Sequence, residues 1–212
     1  MIEAPKSDTI IILGMHQPSL HKWNYRNSIQ QGHEVWGLAH HSWTLEFATR
    51  AFESHSEPIV MKHGGLPHVR RLEKTASLIP LYTPWEWSKS LGKNHCVIPH
   101  SAFGGITKQF ESSIAYPLAM AIWCSCERTM NGGTPLKIEL YGVDMAADSE
   151  YNYQRPNMQY LIGYARALNI PIYLPDNCSL FSSQWKGKLY GSPQDVDTID
   201  YHLKPGNQEF YT

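Results

Sequence analysis

Near the start of the chain, Thr9–Leu13 (TIIIL) form a continuous apolar run that ends in Gly14. A strand apolar on both faces belongs in a parallel sheet that is covered above and below. This requirement directs the rest of the reading. A second short apolar run, around Ile138, Leu140 and Val143, also carries β-branched residues and reads as a buried strand. It stops at Gly142, and Asp144 follows two residues later. Beyond it crowd Asp148, Glu150, Tyr151, Tyr153, Gln154 and Arg155. In open α/β sheets ligands bind beyond the carboxyl ends of the strands, so this edge is the first place to look for a site.

Between these runs the chain alternates. Trp23–Gln31 reads as a short helix closed by Gly32, and Glu34–Ala39 as a second strand, which completes a βαβ unit. Phe47–Ser54 reads as a third strand, with Glu53 and His55 near its end. A Gly-Gly turn then precedes a helix opening at Pro67, and Leu78–Tyr82 reads as a short strand. Residues 83–105 are rich in Trp, Pro, Gly, Ser and His with little periodicity, which suits a long loop or lid. Ser112–Arg128 is the clearest helix, apolar on most sides, with Ser112 or Ser113 as its expected N-cap and Pro117 in its first turn. Pro156 is expected to open a helix that runs to Asn169, and Ile170–Leu174 to form the last strand.

This alternation predicts an α/β fold: a Rossmann-like, doubly wound, mostly parallel sheet of about six strands with helices on both faces. Residues 1–178 form the single domain, and 179–212, rich in Gly, Ser, Pro and Asp, an irregular C-terminal extension. The 212 residues carry a net charge of −1, so charge does not support wholesale binding of a nucleic-acid backbone. The four cysteines, with a C-S-C pair at Cys124 and Cys126, lack metal-type spacing and read as reduced thiols of a cytoplasmic protein. No run is long and apolar enough to span a bilayer, and no signal peptide is recognisable.

The loop after the first strand, Met15-His16-Gln17-Pro18-Ser19-Leu20, leads into a helical segment. Its shape suits an anion at a helix N-terminus, but it has neither a GxGxxG pattern nor a P-loop lysine, and an ordinary βα turn reads equally well. Candidates for a general base are His16, His40, His55, Asp144 and Glu150, with Asp144 best placed. Asp144 also reads as a helix cap or turn carboxylate. Glu150 and Arg155 read either as a surface ion pair or, with Tyr151 and Tyr153, as a clamp that grips a phosphate and stacks a base.

Several segments together carry a resemblance: IILGMHQPSL, SSIAYPLAMAI, IELYGVDM, EYNYQRP and YLIGYARALNIPIYLP. The combination resembles uncharacterised tailed-phage proteins with a Rossmann-like fold. More distantly it is similar to bacterial lipooligosaccharide sialyltransferases and motility-associated glycosyltransferase-like proteins. Those carry G-N-G-P-S-L after a strand, a small-residue helix opening in T/S-S-G, and a strand ending in S-G-I-D-F. The resemblance covers roughly half of the chain and leaves out residues 83–105. It implies a nucleotide or nucleotide-sugar ligand held between the first loop and the Gly142-Val143-Asp144 edge. Gly14 and Ser19 would lie at the phosphates, Ser112 and Ser113 at the facing helix, and Asp144 at the ligand edge with Tyr151 nearby. Where the transferases have an asparagine in the first loop, this chain has His16 or Gln17. The transferases also place a histidine after the G-I-D-F strand, and the interval from Asp144 to Tyr164 has none.

The expected site therefore comprises His16 and Asp144 as catalytic candidates. The ligand-binding candidates are Gly14, Gln17, Ser19, Ser112, Ser113, Glu150, Tyr151, Gln154 and Arg155. No metal or other cofactor is expected, and the partner is a small nucleotide ligand. A DNA or glycan acceptor fits a phage setting in the host cytoplasm, without support from charge. The expected activity is that of a nucleotide-sugar-dependent, glycosyltransferase-like enzyme. A non-catalytic protein that sequesters a nucleotide, or another nucleotide-processing Rossmann enzyme, is the alternative.

Overall fold

A computed structural model describes residues 2–41, 44–98, 100–108, 110–145 and 150–181. In chain order the elements are β1 (Thr9–Leu13), α1 (Gln17–Leu20), α2 (Tyr25–Gln30), β2 (Glu34–Leu38), α3 (Thr44–Phe47), β3 (Arg50–Phe52), α4 (Glu57–His63), α5 (Gly65–Leu78), β4 (Leu81–Thr83), β5 (His95–Val97), α6 (Ala115–Met130), β6 (Lys137–Tyr141), α7 (Glu150–Ala167) and β7 (Ile172–Tyr173). Short 3₁₀ turns lie at His100–Phe103 and Ser179–Phe181.

The strands form one sheet in the order β5-β4-β3-β2-β1-β6-β7, and every pairing is parallel. This is an α/β, Rossmann-like, doubly wound fold with β1 between β2 and β6. The side-chain alternation of β1 divides the core. Ile10 and Ile12 face a cluster with Trp36, Leu38, Phe52, Ile138 and Leu140 that is closed by Leu118 and Ile122 of α6 and Leu161 and Ile162 of α7. Ile11 and Leu13 face the other way, with Val35, Tyr141, Leu20 and Trp23. On that same side, Ala51 and Leu81 pack against Val69, Leu72 and Ala76 of α5. All five residues of β1 are buried, as a strand covered by helices on both sides must be.

At the amino edge of the sheet a buried ion pair fastens the N-terminal segment. Arg50 Nε and Nη2 donate to Glu34 Oε2 and Oε1 at 2.7 and 3.1 Å, and the guanidinium also donates to the Glu3 and Ala4 carbonyls. Trp36 Nε1 and the Lys6 backbone N–H complete the shell around the Glu34 carboxylate. Satisfied in this way, a buried charge pair is tolerated, and here it positions the segment leading into β1.

Several expectations are corrected. The expected sheet of about six strands has seven, and residues 83–105, read as a loop or lid, contain an edge strand, β5. Its three residues are partly solvated and carry no apolar run to mark them. The stretch that reads as a third strand from Phe47 to Ser54 is strand only over Arg50–Phe52, and Phe47 closes α3. The cap of α6 is Ile114, with no side-chain cap bond, rather than Ser112 or Ser113. Pro156 lies inside α7 instead of opening it. It leaves the Asn152 carbonyl without its usual helical donor, a loss that α7 absorbs while packing Met158, Leu161 and Ala165 into the core. One compact unit runs through Leu180, two residues past the expected end of the domain. The remainder of the extension, 182–212, and the Asp148 position lie outside the described residues.

Candidate functional site

The loop after β1 leads to helices on one face of the sheet, and the loop after β6 leads to α7 on the other. A crevice opens where they part, at the carboxyl ends of β1 and β6. A cleft of about 390 Å³ lies there, walled by Gly14, His16, Gly142 and Asp144 on one side and by His40, His55, Ser112 and Ser113 on the other.

The two turns are locked together. Gly14 N–H donates to the Tyr141 carbonyl at 2.8 Å, and His16 N–H donates to that of Gly142 at 3.0 Å. A Cβ on Gly14 would stand 2.2 Å from the Gly142 oxygen. Gly142 itself adopts φ +72, and a Cβ there would lie 2.8 Å from the Gly14 carbonyl. Only glycine permits this approach at both positions.

Asp144 is 1% exposed, and its carboxylate is held on several sides. Oδ2 accepts a hydrogen bond from the Ser19 hydroxyl, whose oxygen in turn accepts from Gly142 N–H at 2.9 Å. Oδ1 accepts from Ser179 N–H at 2.9 Å, and the Ser179 hydroxyl donates to the Asp144 carbonyl at 3.1 Å. His16 Nδ1 stands 3.0 Å from Oδ2, an electrostatic contact whose geometry is not that of a hydrogen bond. Next along the chain, Met145 adopts φ +48, a left-handed conformation that costs a non-glycine residue on the order of 1 kcal/mol. Asn177 Nδ2 and Cys178 Sγ bond the Pro18 and Val143 carbonyls, so the segment after β7 braces both turns from outside.

The opposite wall carries a second carboxylate. Glu53 follows β3 and is fully buried. Oε1 accepts from the His55 backbone N–H at 2.9 Å and from the His55 ring Nδ1 at 2.6 Å. Oε2 accepts from His68 Nε2 at 2.9 Å, and Arg71 Nη2 lies 3.0 Å from His68 Nδ1. Burial alone would push the Glu53 carboxyl up, but the bonds from His55 and His68 outweigh it and hold it at about 2. Arginine can only donate, so His68 accepts at Nδ1 and donates at Nε2. The Glu53 carboxylate then receives the Nδ1 proton of His55. His55 is 47% exposed and stands in the cleft. Burial lowers the affinity of His40 for a proton and takes His41 to about 3, so both rings are neutral at pH 7.

Helix α6 closes the cleft with its N-terminal end. The Ser54 hydroxyl donates to Ser113 Oγ at 2.6 Å, which ties the loop after β3 to the start of this helix. Ser112 is 8% exposed, and its hydroxyl has no hydrogen-bond partner among the described residues. An orphaned buried hydroxyl beside the positive end of a sixteen-residue helix suits an anion.

The structure therefore brings Gly14, His16, Ser112, Ser113, Asp144 and Gln154 to one cleft. Ser19 is fully buried and braces Asp144 and Gly142 from within, instead of facing a phosphate. Gln17 Oε1 pairs with His21 Nε2 at 2.8 Å on the exposed side of α1. Arg155 Nε and Nη2 donate to the Leu180 and Ser179 carbonyls, which places its guanidinium on the bracing segment rather than on a ligand. Glu150 and Tyr151 open α7, and their side chains lie outside the described residues. Sequence reasoning missed the roles of Glu53, His68 and Ser179. A signal did exist for Glu53: a carboxylate two residues before a histidine at the end of a strand.

No protein-family model matches the chain, and no curated protein matches it significantly. Among the described residues, no group of three or more His, Cys, Asp or Glu side chains could hold a metal ion. No helix among them is long and apolar enough to cross a membrane.

Proposed function

We propose that the chain binds a nucleotide or nucleotide sugar over the β1–β6 switch point and acts as a glycosyltransferase-like enzyme of phage origin. One observation carries the reading. The glycine-locked turns at Gly14 and Gly142 face the N-terminal end of α6 across the cleft, where the buried Ser112 hydroxyl has no partner among the described residues. A phosphate seated there would receive that hydroxyl and lie at the positive end of the helix dipole. The base and sugar would lie along the His16–Asp144 side. A volume of about 390 Å³ is of the size that small-molecule sites require.

A second reading, a protein that sequesters a nucleotide without turnover, draws on the state of Asp144. Its carboxylate is engaged by Ser19 and Ser179 and almost wholly buried, an arrangement suited to holding the turn more than to taking a proton. The decisive experiment is a thermal-shift panel of uridine, cytidine, guanosine and thymidine nucleotides and their sugars, run with an assay for released nucleotide. Stabilisation together with release from a sugar donor supports the transferase. Stabilisation alone supports sequestration, and nucleotide breakdown without sugar transfer supports another nucleotide-processing enzyme. No stabilisation by any member refutes all of these.

A further inference from the structure

The two glycine-locked turns bring a histidine and a carboxylate together. His16 lies just after Gly14 and Asp144 just after Gly142, and the lock runs through His16 N–H, which donates to the Gly142 carbonyl at 3.0 Å. His16 Nδ1 is buried 3.0 Å from Asp144 Oδ2, while the ring is 39% exposed and lines the cleft, so its open edge carries Nε2. Nε2 makes no hydrogen bond among the described residues. Asp144, by contrast, is closed off. It is 1% exposed, and the Ser19 hydroxyl and Ser179 N–H occupy its two oxygens. A carboxylate so enclosed reaches no hydroxyl in the cleft. It does draw the ring proton of His16 to Nδ1, which leaves Nε2 as an acceptor. Catalytic contacts of this kind commonly align into hydrogen bonds only as substrate seats. On the opposite wall, burial keeps His40 and His41 neutral and makes them poor proton acceptors.

We propose that His16 Nε2 takes the proton from the acceptor hydroxyl in glycosyl transfer, and that Asp144, which sequence reading favours as the base, is its positioning residue. The inference rests on the nucleotide-sugar reading given above, which lays the sugar along the His16–Asp144 side. In the transfer, the acceptor hydroxyl gives its proton to Nε2 and its oxygen forms a bond to the anomeric carbon of the donor. The bond from that carbon to the phosphate oxygen breaks. Its electron pair stays on the nucleotide phosphate, beside Ser112 and the N-terminal end of α6. The positive charge that His16 gains is matched by the Asp144 carboxylate at 3.0 Å, and the ring then returns its proton to solvent. The locked turns hold the pair in register, so the ring has little freedom to lose on reaching its working position.

The test compares the wild type with H16Q, H16A, D144N and the double variant H16Q/D144N. The probes are the sugars of the uridine, cytidine, guanosine and thymidine nucleotides, with methyl glycosides or water as acceptor and released nucleotide as the readout. Because His16 lines the cleft, rates are taken at saturating donor, where kcat reports chemistry whatever happens to donor affinity. In H16Q, kcat falls at least about 100-fold, the share general-base catalysis supplies. Added imidazole raises the rate of H16A at least about tenfold, a rescue that a purely structural histidine would not show. D144N lowers kcat at least about tenfold in the wild-type background and less than about twofold in the H16Q background, since a positioning residue acts only through the ring it holds. The His16 arms alter a part-exposed side chain and do not depend on the folding of D144N. An H16Q protein within about threefold of wild type, or an H16A protein that imidazole leaves unchanged, overturns the base assignment. Equal slowing by D144N in both backgrounds overturns the positioning role. A wild type that binds nucleotide but releases none from any sugar overturns the inference and leaves the sequestering reading standing. A wild type that binds no nucleotide ends both.

Discussion

Replacing Glu53 by glutamine tests the electrostatics of the His55 wall directly. The Glu53 carboxyl is held at about 2 against an ordinary 4.5, a difference equivalent to roughly 3 kcal/mol of folding free energy. Its affinity for a proton is lower folded than unfolded. This contribution is therefore fully present above about pH 4.5 and is lost as the pH falls through about 2. At pH 7 the glutamine keeps one acceptor for His55. Its amide N–H₂, however, would face His68 Nε2, whose proton already points at that position. Turning the His68 tautomer would bring an N–H against the Arg71 guanidinium. The relief of no longer burying a carboxylate offsets part of the loss, and a net destabilisation of about 2–3 kcal/mol is expected. With a urea dependence of about 2 kcal/mol per molar, the midpoint falls by about 1–1.5 M. Urea titrations followed by far-UV circular dichroism at neutral pH and at steps down to acid would show this. The gap between the two proteins should narrow steadily as the wild type loses its Glu53 contribution. A glutamine variant with an unchanged midpoint at pH 7, or with a stability curve parallel to wild type throughout, would refute the assignment of Glu53 as a buried, paired carboxylate.

Three further outcomes are expected. Gly14→Ala forces a Cβ into the Gly142 carbonyl at 2.2 Å and should cost about 3 kcal/mol or more, measured by urea unfolding; a neutral effect would mean that the turns are not locked. Ser112→Ala should leave stability within about 0.5 kcal/mol, since its hydroxyl has no partner among the described residues, yet weaken nucleotide binding by about 1–2 kcal/mol in calorimetry. Equal affinity in the two proteins would remove the phosphate position. The Cys124 thiol is buried and pushed up to about 12, so mass-spectrometric alkylation kinetics at pH 8 should find it the slowest of the four cysteines.

What was legible in the sequence came from residues whose role is local. A strand covered on both faces must be apolar throughout, so Thr9–Leu13 declared itself, and with it a parallel sheet clothed by helices. Gly14 and Gly142 marked the ends of two strands, where the cleft opens. Where burial is partial the signal failed. β5 lies at the sheet edge in a stretch without periodicity, and Pro156 is accommodated inside α7 although its local preference is for a first turn.

The division of labour among the polar residues was decided by tertiary structure alone. Ser19 and Arg155 look like ligand contacts along the chain, yet one braces a turn from within and the other fastens the segment after β7. His68 is fifteen residues from Glu53 and meets it only because α5 packs across the end of β3. Periodicity reports which side of an element avoids water. Which distant side chain completes a hydrogen-bond shell depends on how elements pack, and in this chain the packing that sets α6 and α5 over the strand ends places Ser112 and His55 at one cleft.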